Sequence, residues 1–230
     1  MAKMNGAQMV VKALEDEGVS TVFGLPGGTV IHLYDALYDS KLNHILMRHE
    51  QAASHAADGY ARTSGKPGVC IATSGPGATN LVTGIATANL DSVPMVAITG
   101  QVATTVIGTD AFQEADIVGA SLPLVKHSFQ VRTPDQVQST IHKAFYIAST
   151  GRPGPVLVDV PADVQKGMGD YKYSTQLDFL GYHPENLYDV RQLEAAISLI
   201  EHAERPVIFA GGGVIRSGAS ELLTDFALKY

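Results

Sequence analysis

An apolar run passes directly into a glycine turn at Val69-Cys70-Ile71-Ala72-Thr73-Ser74-Gly75-Pro76-Gly77. Two similar turns follow apolar runs elsewhere, Gly24-Leu25-Pro26-Gly27-Gly28 after residues 19–23 and Thr99-Gly100-Gln101 at the end of residues 93–99. The runs are short and rich in β-branched residues, and helix-length segments separate them, which is typical of buried parallel strands. Because the carboxyl ends of parallel strands meet at one edge of a sheet, the three turns predict a ligand cleft at that edge.

The composition indicates a globular protein with a large buried core. Of its 230 residues, 45% are hydrophobic and 17% are charged, and the formal net charge is −7. We expect no nucleic-acid partner, because phosphate binding needs concentrated Lys and Arg and the chain has no basic cluster. No apolar stretch approaches the ~20 residues that span a bilayer. Charged residues also interrupt the first segment where a leader would lie, so we expect a cytoplasmic protein with no membrane partner.

The order of elements predicts an α/β fold with an open, mostly parallel sheet and helices on both faces. Asn5 is expected to cap a first helix that ends near Gly18. Further predicted helices run from the first glycine turn to Tyr38 and over residues 50–63, 74–90 and 135–150. The predicted strands are residues 19–23, 44–47, 68–73, 93–99 and 154–160. The only cysteine, Cys70, falls in a central strand and is expected to be a small buried apolar residue.

The periodic pattern fails between about residues 165 and 188, where glycines, a proline and scattered tyrosines are typical of an extended linker. We therefore predict a first domain over residues 1–165, a linker over 166–188 and the start of a second α/β domain over 189–230. That second unit has a predicted helix over 190–202, a strand over 206–210 and a helix over 219–229. One strand and two helices cannot enclose a core, so apolar surface is expected to be exposed there.

Glu50 is the acidic residue closest to the predicted cleft. It follows the strand over residues 44–47 and lies in the first turn of the next helix, where the helix dipole alone would favour an acid. Its helix begins Gln51-Ala52-Ala53, and small alanines allow close packing, so Glu50 is expected to be buried. A buried carboxyl with no cation partner can share or relay a proton.

Two simpler interpretations apply to the same segments. The turn at residues 74–77 could be an ordinary strand-to-helix turn capped by Ser74 or Thr79, although three such turns at adjacent strand ends favour a functional site. His49 and His55 could suggest a zinc helix, but a six-residue spacing places them about 240° apart around the helix. We therefore predict no metal site in this chain.

Several motifs together resemble thiamine-diphosphate enzymes, and in particular the acetohydroxyacid (acetolactate) synthase catalytic subunits. Besides the glycine turns they are Arg48-His49-Glu50-Gln51, Gly108-Thr109-Asp110-Ala111-Phe112-Gln113-Glu114, Lys126-His127 and Ser149-Thr150-Gly151-Arg152-Pro153-Gly154-Pro155-Val156. The resemblance implies a pyrimidine-binding domain followed by the start of a central FAD-binding domain. The family's diphosphate and Mg²⁺ motif is absent from these residues, so the chain alone is expected to be inactive. Thr29 departs from a frequent alanine or serine.

The resemblance implies catalytic roles for Glu50, Gln113 and Lys126. Glu50 would hydrogen-bond a ring nitrogen of the cofactor's aminopyrimidine. Gln113 and Lys126 would lie near the substrate together with Phe112, although Lys126 is alternatively a solvated surface lysine. The implied cofactor contacts are Gly27, Gly28, Glu50, Pro76, Gly77, Asn80 and Phe112 for thiamine diphosphate, and Arg152, Gly211, Gly212 and Gly213 for FAD.

The implied reaction is decarboxylation of pyruvate and condensation with a second 2-keto acid, pyruvate or 2-ketobutyrate, in the biosynthesis of isoleucine, valine and leucine. The implied assembly is a homodimer or homotetramer with a possible small regulatory subunit. Two alternatives remain open: another thiamine-diphosphate 2-keto-acid enzyme, such as pyruvate oxidase or glyoxylate carboligase, and a non-catalytic binding module. The family's carboligase typically lacks the glutamate, so Glu50 weighs against it.

Overall fold

The computed structural model describes residues 2–174, 176, 179, 181–184 and 188–230. By its contacts the chain divides into two units, Met1–His183 and Pro184–Tyr230. The predicted linker therefore falls mostly in the first unit, and its residues 175, 177, 178, 180 and 185–187 lie outside the described residues.

The first unit is built on a six-stranded sheet in the order β3-β2-β4-β5-β7-β6, and all its neighbouring strands are parallel. A separate two-stranded antiparallel sheet joins β1 to β8. The strands are β1 Ala2–Asn5, β2 Thr21–Gly24, β3 Asn43–Leu46, β4 Gly68–Ala72, β5 Met95–Gln101, β6 His127–Gln130, β7 Pro155–Pro161 and β8 Met168–Tyr171. The predicted open, mostly parallel sheet is confirmed.

Helices cover both faces of this sheet. They are α1 Gly6–Asp16, α2 Ile31–Tyr38, α3 Glu50–Ser64, α4 Pro76–Asn80, α5 Val82–Leu90, α6 Ile117–Ser121, α7 Val137–Ser149 and α8 Ala162–Lys166. Alternate strand residues point to opposite faces. Ile71 and Ile98 join the core formed with α1, α2 and α7, whereas Cys70 and Ala97 join the core formed with α3 and α5. Burial on both faces explains why the central strands are continuously apolar.

The first helix begins as its sequence predicts. The Asn5 side chain accepts a hydrogen bond from the backbone N–H of Gln8 at 2.8 Å, and the Gln8 side chain accepts one from the Asn5 N–H at 3.0 Å. This reciprocal capping box satisfies two backbone donors that the helix itself leaves unpaired. The same residue ends β1, so the cap also fixes where the small sheet stops.

Four predictions of secondary structure need correction. Met168–Tyr171, assigned to the linker, forms β8, because its partner strand lies at the other end of the unit and gives no local signal. His127–Gln130 forms β6, an edge strand of the sheet that was not predicted. Its residues are mostly polar, so the sequence has no apolar run to indicate a strand. The single helix expected over residues 74–90 is two helices that meet at Leu81. The strand predicted over residues 93–99 extends further, because Gly100 and Gln101 still pair with Val160 and Pro161.

The second unit contains α9 Val190–Glu201, α10 Gly212–Arg216 and α11 Ser220–Lys229. The predicted strand over residues 206–210 is wrong: these residues form no regular structure. A strand needs a neighbour for its backbone hydrogen bonds, and residues 188–230 supply no second one. Val207 and Phe209 are 92% and 99% exposed, so the expected exposure of apolar surface is confirmed.

Among the described residues, no helix combines the length and apolar character that crossing a membrane requires.

Replacing Asn5 by alanine removes the cap of α1 and should lower the free energy of unfolding by about 1 kcal/mol. Urea unfolding followed by circular dichroism measures the change. Asn5→Ser is the matched control, because a serine hydroxyl also caps helices and should retain most of the stability. Equal losses in the two variants would contradict a capping role.

Candidate active site

The three glycine turns meet at the carboxyl edge of the sheet, and Thr29 connects them. The Thr29 N–H donates to Thr73 Oγ1 at 3.2 Å, and the two hydroxyls lie 3.0 Å apart. Thr29 Oγ1 also accepts the backbone N–H of Ser74 at 3.0 Å. A Cβ on Gly100 would collide with the Thr29 hydroxyl, so the third turn touches the first. The predicted meeting of the three turns at one edge is confirmed. Thr29, which the sequence singled out only because related proteins frequently have alanine or serine there, joins the turns.

Several of the glycines are required because the turns pack against each other. A Cβ on Gly27 would clash with the side chain of Thr73, and one on Gly75 would meet the backbone carbonyl of Gln113. Gly75 also has φ +60°, in the left-handed region that disfavours side chains. Gly28 differs, since a Cβ there would meet nothing within 4 Å. The absence of side chains at Gly27 and Gly75 therefore allows the turns to pack closely against each other.

The segment that follows β4 is not a side-chain-capped turn. Gly75 is the N-cap of α4 and no side chain caps it, while the Thr79 hydroxyl donates instead to the Pro76 carbonyl at 3.2 Å. Ser74 is fully buried, and its hydroxyl has no hydrogen-bond partner among the described residues. The interpretation of Ser74 or Thr79 as a helix cap is therefore wrong.

Glu50 begins α3 at the same edge and is only 7% exposed, so its predicted burial is confirmed. The preceding His49 is the N-cap, and its Nδ1 accepts the Gln51 N–H at 3.1 Å. Asn80 Nδ2 donates to Glu50 Oε2 at 3.0 Å. The other oxygen, Oε1, faces Gly77, where a Cβ would approach it to 3.2 Å. None of the ion pairs among the described residues involves Glu50.

The loop that follows β5 reaches the same turns. Gln113 has φ +56°, and its carbonyl lies against Gly75, which places the loop beside the α4 N-terminus. Phe112 is 87% exposed. The edge of the sheet thus combines a buried carboxylate, an amide donor, bare backbone and an exposed aromatic ring.

The sequence of the chain matches known protein families. The family described as "Thiamine pyrophosphate enzyme, N-terminal TPP binding domain" matches residues 4–120, and "Thiamine pyrophosphate enzyme, central domain" matches residues 193–230. The chain belongs to the thiamine pyrophosphate enzymes.

Relatives within this enzyme family are acetolactate synthases. The chain is 57% identical over 227 residues to the probable acetolactate synthase large subunit of Methanocaldococcus jannaschii, covering 97% of this chain and 38% of the relative. It is 55% identical over 226 residues to the acetolactate synthase large subunit of Corynebacterium glutamicum, covering 98% and 36%. It is 52% identical over 232 residues to that of Haemophilus influenzae, covering 100% and 40%. The chain therefore spans about two fifths of the length of these relatives.

In this thiamine pyrophosphate enzyme chain, Lys126 lies at the opposite, amino-terminal edge of the sheet. Its backbone N–H donates to Pro155, the first residue of β7. Its ammonium donates to the carbonyls of Ile147 and Thr150, the latter at 2.8 Å, and to the Tyr182 hydroxyl at 3.1 Å. Lys126 is therefore not a solvated surface lysine, and the structure does not bring it to Glu50. Its contact with a keto acid stays a prediction.

Arg152 lies at that same amino-terminal edge. Its Nε donates to Ser92 Oγ at 2.7 Å and its Nη2 to the Leu90 carbonyl at 3.2 Å. In the second unit, Gly211 is the N-cap of α10, and Gly212 and Gly213 begin that helix. The FAD contacts expected of Arg152 and these glycines stay predictions.

A buried polar network, which sequence analysis missed, joins β5, β7 and the edge strand β6 near their carboxyl ends. Asp159 in β7 is fully buried and accepts hydrogen bonds from Thr99 Oγ1 at 2.7 Å, Gln130 Nε2 at 3.2 Å and Gln101 Nε2 at 3.3 Å. Burial raises the pKa of Asp159 to about 6, although the three hydrogen bonds act in the opposite direction and lower it. One signal was present, since an aspartate interrupts an otherwise apolar strand.

Metal-ligand spacing is not found in the part of the chain that the structure describes: no three His, Cys, Asp or Glu residues group as a metal would require. Cys70 is fully buried, as predicted, and burial raises the pKa of its thiol to about 12. A thiol this hard to ionise is a packing residue.

The contribution of Asp159 to the stability of the first unit should fall as pH rises from about 4 to about 7. An Asp159 pKa of about 6 in the folded chain and 3.8 when unfolded means that folding favours the protonated form, and this contribution is lost above the folded pKa. Asp159→Asn removes that loss, so its stability relative to wild type should increase by up to about 3 kcal/mol between these pH values. Urea unfolding at both pH values measures it.

Asp39→Asn, at an exposed aspartate, is the control and should keep the wild-type pH dependence. An Asp159→Asn variant that parallels wild type at both pH values would show that the burial of Asp159 has no such cost.

Lys126→Met should lower the free energy of unfolding by about 1–3 kcal/mol, because it leaves two half-buried carbonyls without their donor. Lys143→Met is the matched control, since Lys143 makes a cation–π contact with Phe179, 5.8 Å from the ring centroid, in the same aromatic cluster. Thermal unfolding compares the two variants. Similar small losses would contradict an anchoring role for Lys126.

Proposed function

We propose that this chain forms the pyrimidine-binding part of an acetolactate synthase catalytic subunit and that Glu50 is its essential acid. The observation that carries the proposal is the environment of the Glu50 carboxylate. One oxygen is held by Asn80, and the other faces the bare backbone of Gly77 with no ion pair among the described residues. The acetolactate synthase names of the relatives support the assignment of the reaction.

The residues present fit the aminopyrimidine of thiamine diphosphate. A heterocycle with ring nitrogens and an amino group needs one acidic partner and an open, flat approach. Glu50 Oε1 is such a partner, because Asn80 occupies only Oε2. A side chain at Gly77 would fill the space in front of Oε1. The exposed ring of Phe112 and the open backbone at Gly28 border the same turns.

Bound thiamine diphosphate supplies the carbon nucleophile and the electron sink for loss of CO₂ from a 2-keto acid. The chain's own contribution is proton management. Glu50 Oε1 would exchange a proton with the ring nitrogen that it contacts, and a carboxylate held away from water does this without reorganising solvent. Asn80 fixes the rotation of the carboxyl group, so that Oε1 remains directed past Gly77. The turns around Thr29 and Thr73 are joined by hydrogen bonds, which gives the site a fixed border.

We further propose that domains beyond this chain complete the enzyme. The relatives are more than twice as long, so we infer that further domains supply the diphosphate and Mg²⁺ site and that this chain alone is inactive. Pyruvate and 2-ketobutyrate are the proposed substrates. We propose a cytoplasmic homodimer or homotetramer, with a small regulatory subunit as a further partner.

FAD is the second proposed cofactor. Among the described residues, Arg152 donates through Nε and Nη2, and its Nη1 is proposed to contact an anionic or polar ligand atom. Gly213 has open space where a Cβ would stand, so a ligand could approach its backbone. These two features fit FAD by the chemistry of their donors, each within its own unit.

Glu50→Gln tests the proposal in the full-length subunit. The amide can still accept from Asn80, so the fold should be retained, but proton exchange at the ring nitrogen is lost. Acetolactate formation should fall by about 10²–10⁴-fold, while FAD content stays at the wild-type level. Acetolactate is measured from pyruvate, and FAD from its absorbance.

Asp39→Asn, at an exposed aspartate of the first unit, is the control and should keep full activity. Wild-type turnover by Glu50→Gln would overturn the assignment of Glu50. Reduction of the flavin by pyruvate in the wild-type subunit would favour a pyruvate oxidase instead.

A further inference from the structure

Two carboxylates hold the loop between β5 and α6. At its start, Asp163 accepts hydrogen bonds from the Thr104 N–H at 3.0 Å and from the Thr104 hydroxyl at 2.5 Å. At its end, Glu114 accepts the Gly108 N–H on one carboxylate oxygen and the Ala111 N–H on the other, the latter at 2.9 Å. Asp163 belongs to α8, so its hydrogen bonds to Thr104 attach the start of the loop to the rest of the unit. Glu114 belongs to the loop, and its hydrogen bonds fold the loop back on itself.

The backbone of this loop is unusual in the segment that Glu114 encloses. Asp110 has φ +55° and Gln113 has φ +56°, both in the region that favours glycine. Non-glycine residues keep such conformations only where the surroundings over-determine them. Glu114 supplies that determination, because its two hydrogen bonds span the residues on either side of Asp110.

The enclosed segment is also the part of the loop that reaches the candidate active site. The Gln113 carbonyl packs against Gly75, two residues before Gly77, which faces Glu50. Phe112 projects with 87% of its surface exposed, so the loop presents an aromatic ring that this chain does not cover. A shift of the loop would move both residues relative to the glycine turns.

We propose that Glu114 is a positioning residue: by gathering the Gly108 and Ala111 amides it holds Phe112 and Gln113 where they meet the 2-keto acid beside Glu50. The substrate side of this inference rests on the proposed function. The two amides lower the pKa of Glu114, with Gly108 as the larger cause, so the carboxylate is the form that closes the loop.

Glu114→Gln tests the clamp first in this chain without any cofactor. A glutamine keeps one acceptor oxygen but turns an N–H₂ group toward the second backbone N–H, so both amides cannot be satisfied. Hydrogen–deuterium exchange at Gly108 and Ala111 should accelerate by about 10-fold, as expected for loss of a charge-assisted hydrogen bond. Asp110→Asn is the matched control: it removes a charge from the same loop, and asparagine tolerates positive φ, so exchange should stay unchanged.

The full-length subunit tests positioning. Glu114→Gln should raise KM for pyruvate by about 10-fold with a smaller change in kcat. Glu50, Gly77 and Asn80 are untouched, so any loss of thiamine diphosphate affinity comes from the displaced Phe112 ring and should stay smaller than the rise in KM. Unchanged exchange at Gly108 and Ala111 would overturn the proposal, and so would a loosened loop with unchanged KM. Failure of the wild-type subunit to bind thiamine diphosphate would refute the proposed function and leave the exchange result standing.

Discussion

The candidate site depends on the hydroxyl of Thr29. It binds Thr73 Oγ1 and the Ser74 N–H, and thereby joins the turn after β2 to the turn after β4. These strands are neighbours in the sheet, but parallel pairing alone only brings their ends to one edge. The hydrogen bonds of Thr29 fix the two turns relative to each other. Glu50, the first residue of α3, lies beside them. Thr29 is itself held from behind, since Gln165 Nε2 donates to its carbonyl at 2.7 Å.

The sheet and its helices could be predicted largely from the sequence, because the central strands are apolar on both faces and glycine turns mark their ends. Glu50 could be placed at the edge for the same reason. The elements that escaped are those without a periodic signal. The strand at His127–Gln130 is polar, and the strand at Met168–Tyr171 exists only through a partner at the far end of the unit.

The remaining differences concern side-chain contacts between distant segments. Lys126 could not be located from its motif, because its three acceptors come from α7 and the segment around Tyr182. The network around Asp159 likewise joins three strands that are distant in sequence. Nothing within any one of these strands shows that their polar residues meet. The packing partners of the glycines at 27 and 75, which are Thr73 and the Gln113 carbonyl, could not be predicted from the turns themselves. Sequence spacing identifies a strand end, but not what packs against it.

The pairing of β1 with β8 bears on how the chain is made. The strand Ala2–Asn5 has no partner until Met168–Tyr171 has also been synthesised, so its edge stays open while the residues between the two strands emerge. Closing this small sheet brings together two strands that are far apart in the sequence, and long-range pairing of this kind carries a high entropic barrier. The Asn5 cap shortens the exposed strand by committing the following residues to a helix at once.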